Sequence, residues 1–146
     1  MTSKVKKTIL FSILGLVAIA AGIGYYLYNK GPIDVKNATG IKVSATELYD
    51  AYSKDSTAAQ KKYTDKIIET RGIVTKISQN QQHQAIVMLK TNEGTAFVNC
   101  TMEEPAINIK ENEAIVIKGI CSGIGMGDLE LGIKGDVYLT RCYLVK

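Results

Sequence analysis

Three cysteines, Cys100, Cys121 and Cys142, are the residues of this 146-residue chain with the clearest chemical potential. Each falls in a run of alternating apolar character, on the side shared with Val98, Ile117 and Leu144. Three chemistries fit them. In an oxidising compartment two could pair and leave one thiol over, Cys142 with either Cys100 or Cys121, and Cys121–Cys142 is the preferred pair. All three could equally be small buried hydrophobes, the usual state of a free cysteine. A metal or thiol-redox site is the third reading, but Cys-x-x-Cys spacing is missing and no histidine lies nearby. His83, the single histidine, sits in the polar run SQNQQHQ and reads as a surface residue of a loop tip. Glu103 and Glu104 are adjacent acids, which diverge on a helix or a strand and so suit solvent better than acid–base work. Gly123-x-Gly125-x-Gly127 lacks the lysine and serine of a phosphate loop and reads as a strand connection. Asn37-Ala38-Thr39 and Asn99-Cys100-Thr101 fit the glycosylation pattern, which matters only in a eukaryotic secretory pathway. No enzyme is expected, and no cofactor or metal.

The elements that position these residues follow from periodicity. Residues 66–77 alternate as a strand, with Gly72 at a bend and Thr75-Lys76 as a bulge that lets Val74 and Ile77 face the same way. Residues 114–122 repeat the pattern, IKGIC against TRGIV. Strands are expected also at 85–91, 95–102 and 137–145, with a short hairpin at Leu129 to Ile133 ahead of the last. A short helix opened by Pro105 is expected over 103–110. Five strands with a helix between the third and fourth predict a mainly β fold, a five-stranded OB barrel. In that topology the fifth strand lies between the third and fourth. Short helices precede the barrel. Ser44-Ala45-Thr46-Glu47 has capping-box form, Leu48, Ala51 and Tyr52 make one apolar stripe, and Asp55 caps a second helix ending near Tyr63. Tyr49, Tyr52 and Tyr63 are expected to pin these helices to the barrel rather than to stack on a ligand.

The N-terminal region is of another kind. Thr8 to Tyr28 is an uncharged, largely apolar run of twenty-one residues, long enough to cross a bilayer as a helix. It exceeds a secretory signal core, and Tyr25, Tyr26, Tyr28 and Lys30 resemble an interfacial belt, so a retained anchor is favoured over a cleaved signal. Lys4, Lys6 and Lys7 place the N-terminus in the cytoplasm. The expected organisation is a cytoplasmic 1–7, a transmembrane 8–28, a linker 29–43 and an OB domain with its helical preface over 44–146. The domain would then lie outside the cytoplasmic (inner) membrane, periplasmic or extracellular; secretion after cleavage is the alternative. Four of the eighteen basic residues precede Asp34, and all fourteen acids follow Ile33. Residues 34–146 are therefore formally neutral, which weakens any case for nucleic acid made from the overall charge of +4.

The run Tyr52-x-x-Asp55-x-x-Ala58-Ala59-x-x-x-Tyr63-x-x-Lys66-x-Ile68-x-x-x-Gly72-x-Val74 resembles the tRNA anticodon-like OB-fold family of bacterial envelope proteins. Val98-x-Cys100, Gly119-x-Cys121-x-Gly123 and Leu139-x-x-Cys142 carry the same resemblance, which spans roughly 44–146. It implies an OB barrel of uncharacterised biochemical role. By fold analogy the ligand surface is the face of the second and third strands, flanked by the 1–2 and 4–5 loops. Lys90, Phe97, Asn99 and His83 are the candidate side chains there. One aromatic and one basic residue on those strands predict weak binding of single strands, since stacking yields about 1–3 kcal/mol per base. The expected function is a membrane-tethered, non-catalytic binding module of the envelope, its partner a protein or small ligand. A single-stranded nucleic acid is the alternative.

Overall fold

The computed structural model describes residues 3–128 and 130–146. Met1, Thr2 and Leu129 lie outside the described residues, and so does the first position of the hairpin expected at Leu129 to Ile133. The chain separates into two compact units, Met1–Ile33 and Asp34–Lys146. The first is one helix, α1 (Ser3–Asn29), with a mean hydropathy of 2.1 over its most apolar stretch and no buried side chain there. At about 1.5 Å per residue it is long enough to cross a bilayer.

The second unit is a closed β-barrel with two small helices. Its strands are β1 (Ile41–Ser44), β2 (Ile67–Gln79), β3 (Ala85–Lys90), β4 (Phe97–Met102), β5 (Ala114–Ile124) and β6 (Val137–Leu144). They run in the order β1-β2-β3-β4-β6-β5, and a β2–β5 pairing closes the ring. The last strand thus lies between its two predecessors, as the OB topology requires. β1, a strand absent from the sequence reading, runs parallel to residues 68–71 of β2.

Bending makes closure feasible. β2 serves two partners, β5 through residues 67–73 and β3 through 74–79, and Gly72 and the bulge at Thr75 fall at the changeover. A Cβ on Gly72 would stand 3.0 Å from both Ala45 Cβ and Leu89 Cβ, so glycine lets β2 pass close under Ala45. Its counterpart Gly119 faces Cys142, whose Sγ would lie 2.5 Å from an added Cβ. The inward residues Ile68, Thr70, Val74, Val87, Leu89, Val98, Cys100, Ile117, Cys121, Val137, Leu139 and Cys142 form the core, each fully buried.

One end of this barrel is plugged. Helix α2 (Ala45–Lys54) carries the capping box: the Ser44 hydroxyl accepts from Glu47 N–H, and the Ser44 N–H donates to Glu47 Oε2 at 3.0 Å. Its buried residues Ala45, Leu48, Tyr49 and Tyr52 recur at i, i+3, i+4 and i+7. The helix touches β2, β3, β4 and β6 together, which a helix can do only by lying across the barrel's opening. Helix α3 (Ser56–Tyr63), capped by Asp55 through Ala58 N–H, packs on β5. Tyr49, Tyr52 and Tyr63 are all buried at these contacts, pinning the helices as their sequence setting predicts.

At the other end the expected helix over 103–110 is not formed. The segment makes bends and a single turn, with Ile109 N–H donating to Ala106 O at 3.3 Å. Only Ile109 is buried, while Ile107 stands in solvent, so an apolar stripe is too short to offset helix nucleation. β4 also starts two residues later than expected. The Thr91 hydroxyl donates to Ala96 O at 2.6 Å and accepts from Glu93 N–H, which folds 92–96 into a turn.

Candidate functional site

The register of the sheet sorts its outer face into rows. Alternation turns Val87, Leu89, Val98 and Cys100 inward, so Ile86, Met88 and Lys90 of β3 and Phe97, Asn99 and Thr101 of β4 point outward. Lys90 stands opposite Phe97. The next row runs Lys76, Met88, Asn99 and Tyr138 across β2, β3, β4 and β6. A third holds Ser78, Ile86 and Thr101. No acid occupies any of these positions, and neither Lys76 nor Lys90 joins an ion pair among the described residues.

Lys90 and Phe97 line one depression of about 470 Å³ with Ile73, Thr75, Asn112 and one acid, Glu93. Arg71 and Lys90 share a smaller one of about 300 Å³ beside Thr46 and Asn92. The acids around the first depression have partners: Glu93 pairs with Lys134 at 2.9 Å, and Asp136 Oδ1 accepts the Phe97 N–H at 2.9 Å. Tyr138 is 42% exposed, enough of a ring for a ligand to stack on, and its edge lies over Gly125, where a Cβ would approach to 2.7 Å. That close approach accounts for Gly125 in the β5–β6 connection. Gly125 N–H donates to Asp136 O and Ile133 N–H to Asp128 O, so the connection extends the β5–β6 hairpin.

The four expected ligand residues separate under this geometry. Lys90 and Phe97 meet as cross-strand neighbours. Asn99 shares their face but is buried between Met88 and Tyr138. His83 lies at the far end of β3, in the β2–β3 turn with a positive φ of 61°, where its N–H donates to Asn80 O. Sequence reasoning missed Lys76 and Tyr138, although the alternation of β6 and its place beside β4 were both readable.

The cysteines make a different site, inside the barrel. All three are free and buried, so the preferred Cys121–Cys142 disulfide is corrected. Cys142 stands over Gly119, two residues from Cys121. An offset of ~6.6 Å along the strand, at right angles to ~4.8 Å between strands, gives about 8 Å, beyond the ~7 Å Cα separation that a disulfide tolerates. Cys142 neighbours Cys100 instead, and that thiol together with burial holds its own thiol well above the ordinary range. Cys121 is raised by burial, and its Sγ lies 3.3 Å from Tyr52 Oη, which also meets Thr64 Oγ1 at 2.8 Å. Burial, then the Cys121 thiol, raise the Tyr52 phenol well above its usual value. Thiolates are the nucleophiles and metal ligands of proteins. Cys121 and Cys142 are held as thiols and act as packing.

A closed five-stranded Greek-key barrel, here with one added strand, defines an OB fold. The model of the tRNA_anti-like family matches residues 1–131, and the chain belongs to that family. No curated protein matches it. Among solved structures it is similar to a lipoprotein of Klebsiella pneumoniae subsp. pneumoniae named for proposed nucleic-acid binding. The likeness has a TM-score of 0.54 at 16% identity, over 80% of this chain and 100% of that one, and it shows the fold. A proposed aspartyl-tRNA synthetase of Leishmania major aligns at a TM-score of 0.44 and 12% identity, over 80% of this chain and 23% of that one.

Proposed function

We propose that this chain is a membrane-tethered, non-catalytic binding module of the cell envelope, with the outer face of β2, β3, β4 and β6 as its ligand surface. The tether is α1, whose length and apolarity suit a single span and whose leading lysines suit a cytoplasmic N-terminus. The observation that carries the ligand surface is the acid-free patch of Lys76, Lys90, Phe97 and Tyr138. Lys90, Phe97 and Asn99 belong to it, and His83 borders it from the β2–β3 turn.

A single-stranded nucleic acid is the second reading, and one feature favours it. The neutral charge of residues 34–146 is unevenly spread: two free lysines and two aromatic rings share one face, with Arg71 beside it. Basic groups that track phosphates and rings that stack bases are what such ligands require. The full chain in lipid nanodiscs, titrated with labelled single-stranded RNA and DNA at roughly 50 and 200 mM salt, tests both readings. Binding that weakens steeply with salt establishes the nucleic acid. No binding at either salt leaves an envelope protein or small ligand on the same face, to be sought by crosslinking from Lys90 and Tyr138.

A further inference from the structure

The barrel end away from α2 holds a cavity of about 610 Å³, within the range of ~300–1,000 Å³ typical of small-molecule sites. It exists because residues 103–110 make a loop where the expected helix would have capped the opening. Its floor is apolar, made by the inward-facing Ile77, Ala85 and Met102 with Ala106. Its rim is polar, with the amides of Gln79 and Gln84, the imidazole of His83 and two carboxylates. No lysine or arginine lines it.

The two carboxylates are not equivalent. Glu104 is satisfied by Lys36 at 2.5 Å. Glu103 donates its N–H to Cys142 O, and its carboxylate has no ion-pair or hydrogen-bond partner among the described residues. An anionic ligand would meet the Glu103 carboxylate, which no lysine or arginine offsets among the described residues. A neutral one would leave Glu103 unused. We infer that this mouth binds a small organic cation on an apolar stem, of the arylalkylamine type, with the stem on Ile77, Ala85 and Met102 and the ammonium on Glu103. This site opens at the barrel end, meets the outer sheet face only at Ser78 and His83, and stands whatever that face binds.

Methionine methyls supply the test. Met102 lies in the cavity floor, Met88 on the outer face and Met126 in full solvent exposure. The full chain, ¹³C-methyl labelled at methionine in zwitterionic nanodiscs, is titrated with phenethylamine, phenethyl alcohol and phenylacetate. The Met102 signal is expected to shift saturably with the amine while Met88 and Met126 stay still. The alcohol and the carboxylate are each expected to bind at least tenfold more weakly. Glu103→Gln, on an exposed side chain, is expected to weaken amine binding about tenfold, and Ala106→Trp to abolish it by filling the cavity with Met88 unmoved. Equal affinity for amine and alcohol, an unchanged Glu103→Gln, a common drift of all three methyls, or no saturable shift would each overturn the inference.

Discussion

The two ends of the barrel solve one problem in opposite ways. At one end α2 spans the opening and buries Leu48, Tyr49 and Tyr52 over the strands β2, β3, β4 and β6. At the other, residues 103–110 form a loop, Ile109 alone goes in, and a cavity remains beside Met102. The plug comes from the chain between β1 and β2, whereas the connection between β4 and β5 leaves its own end open. Stability is therefore concentrated where the helices enter, and room for a ligand where they do not.

The largest effect that separates the two ends is expected from truncating an apolar side chain at each. Leu48→Ala, at a fully buried position, should cost about 2–5 kcal/mol in urea unfolding. Ile107→Ala, at an 83% exposed position, should stay within about 0.5 kcal/mol. Equal losses would mean that both ends are plugged. Gly119→Ala should cost about 1–3 kcal/mol, because its Cβ would meet Cys142 Sγ, and Cys142→Ala should relieve part of that loss in the double mutant.

Smaller changes sharpen the picture. Ser44→Ala removes the cap of α2 and should cost about 1 kcal/mol. The Ser44 N–H, then its hydroxyl, hold the Glu47 carboxyl below the usual glutamate range. That contribution is present above the unfolded value of about 4.3 and fades as pH falls through the lower folded value, so the Ser44→Ala deficit should shrink in acid. The smallest and opposite effect is expected from Thr70→Val. The Thr70 hydroxyl is buried without a partner on the barrel wall, and its removal should raise stability by up to about 1 kcal/mol.

Local rules carried most of the fold. Alternation with Gly72 and the Thr75 bulge identified β2, and the capping box identified α2, because each depends on neighbours in sequence. The helix expected over 103–110 failed because Pro105 permits a helix start but supplies no buried stripe to hold it. β1, four residues long, offers too little periodicity to tell from a linker. The candidate site was half legible. Lys90 and Phe97 follow from strand order, whereas Tyr138 and Lys76 join them only through cross-strand register. The cysteine pairing depended on register too: Cys121 stands opposite Leu139, and the irregularity in β6 beside Arg141, with its φ of 51°, turns Cys142 inward against Gly119, two residues from Cys121.

The central claim is that the outer face carrying Lys76, Lys90, Phe97 and Tyr138 is the ligand surface. Its most direct measurement compares Lys90→Ala and Phe97→Ala with the native chain in the oligonucleotide titration across salt. Should that face hold a single strand, Lys90→Ala lowers the salt slope by about one unit, while Phe97→Ala weakens binding at every salt and leaves the slope alone. Native binding unaltered by both substitutions would contradict the claim and move the ligand surface elsewhere on the barrel.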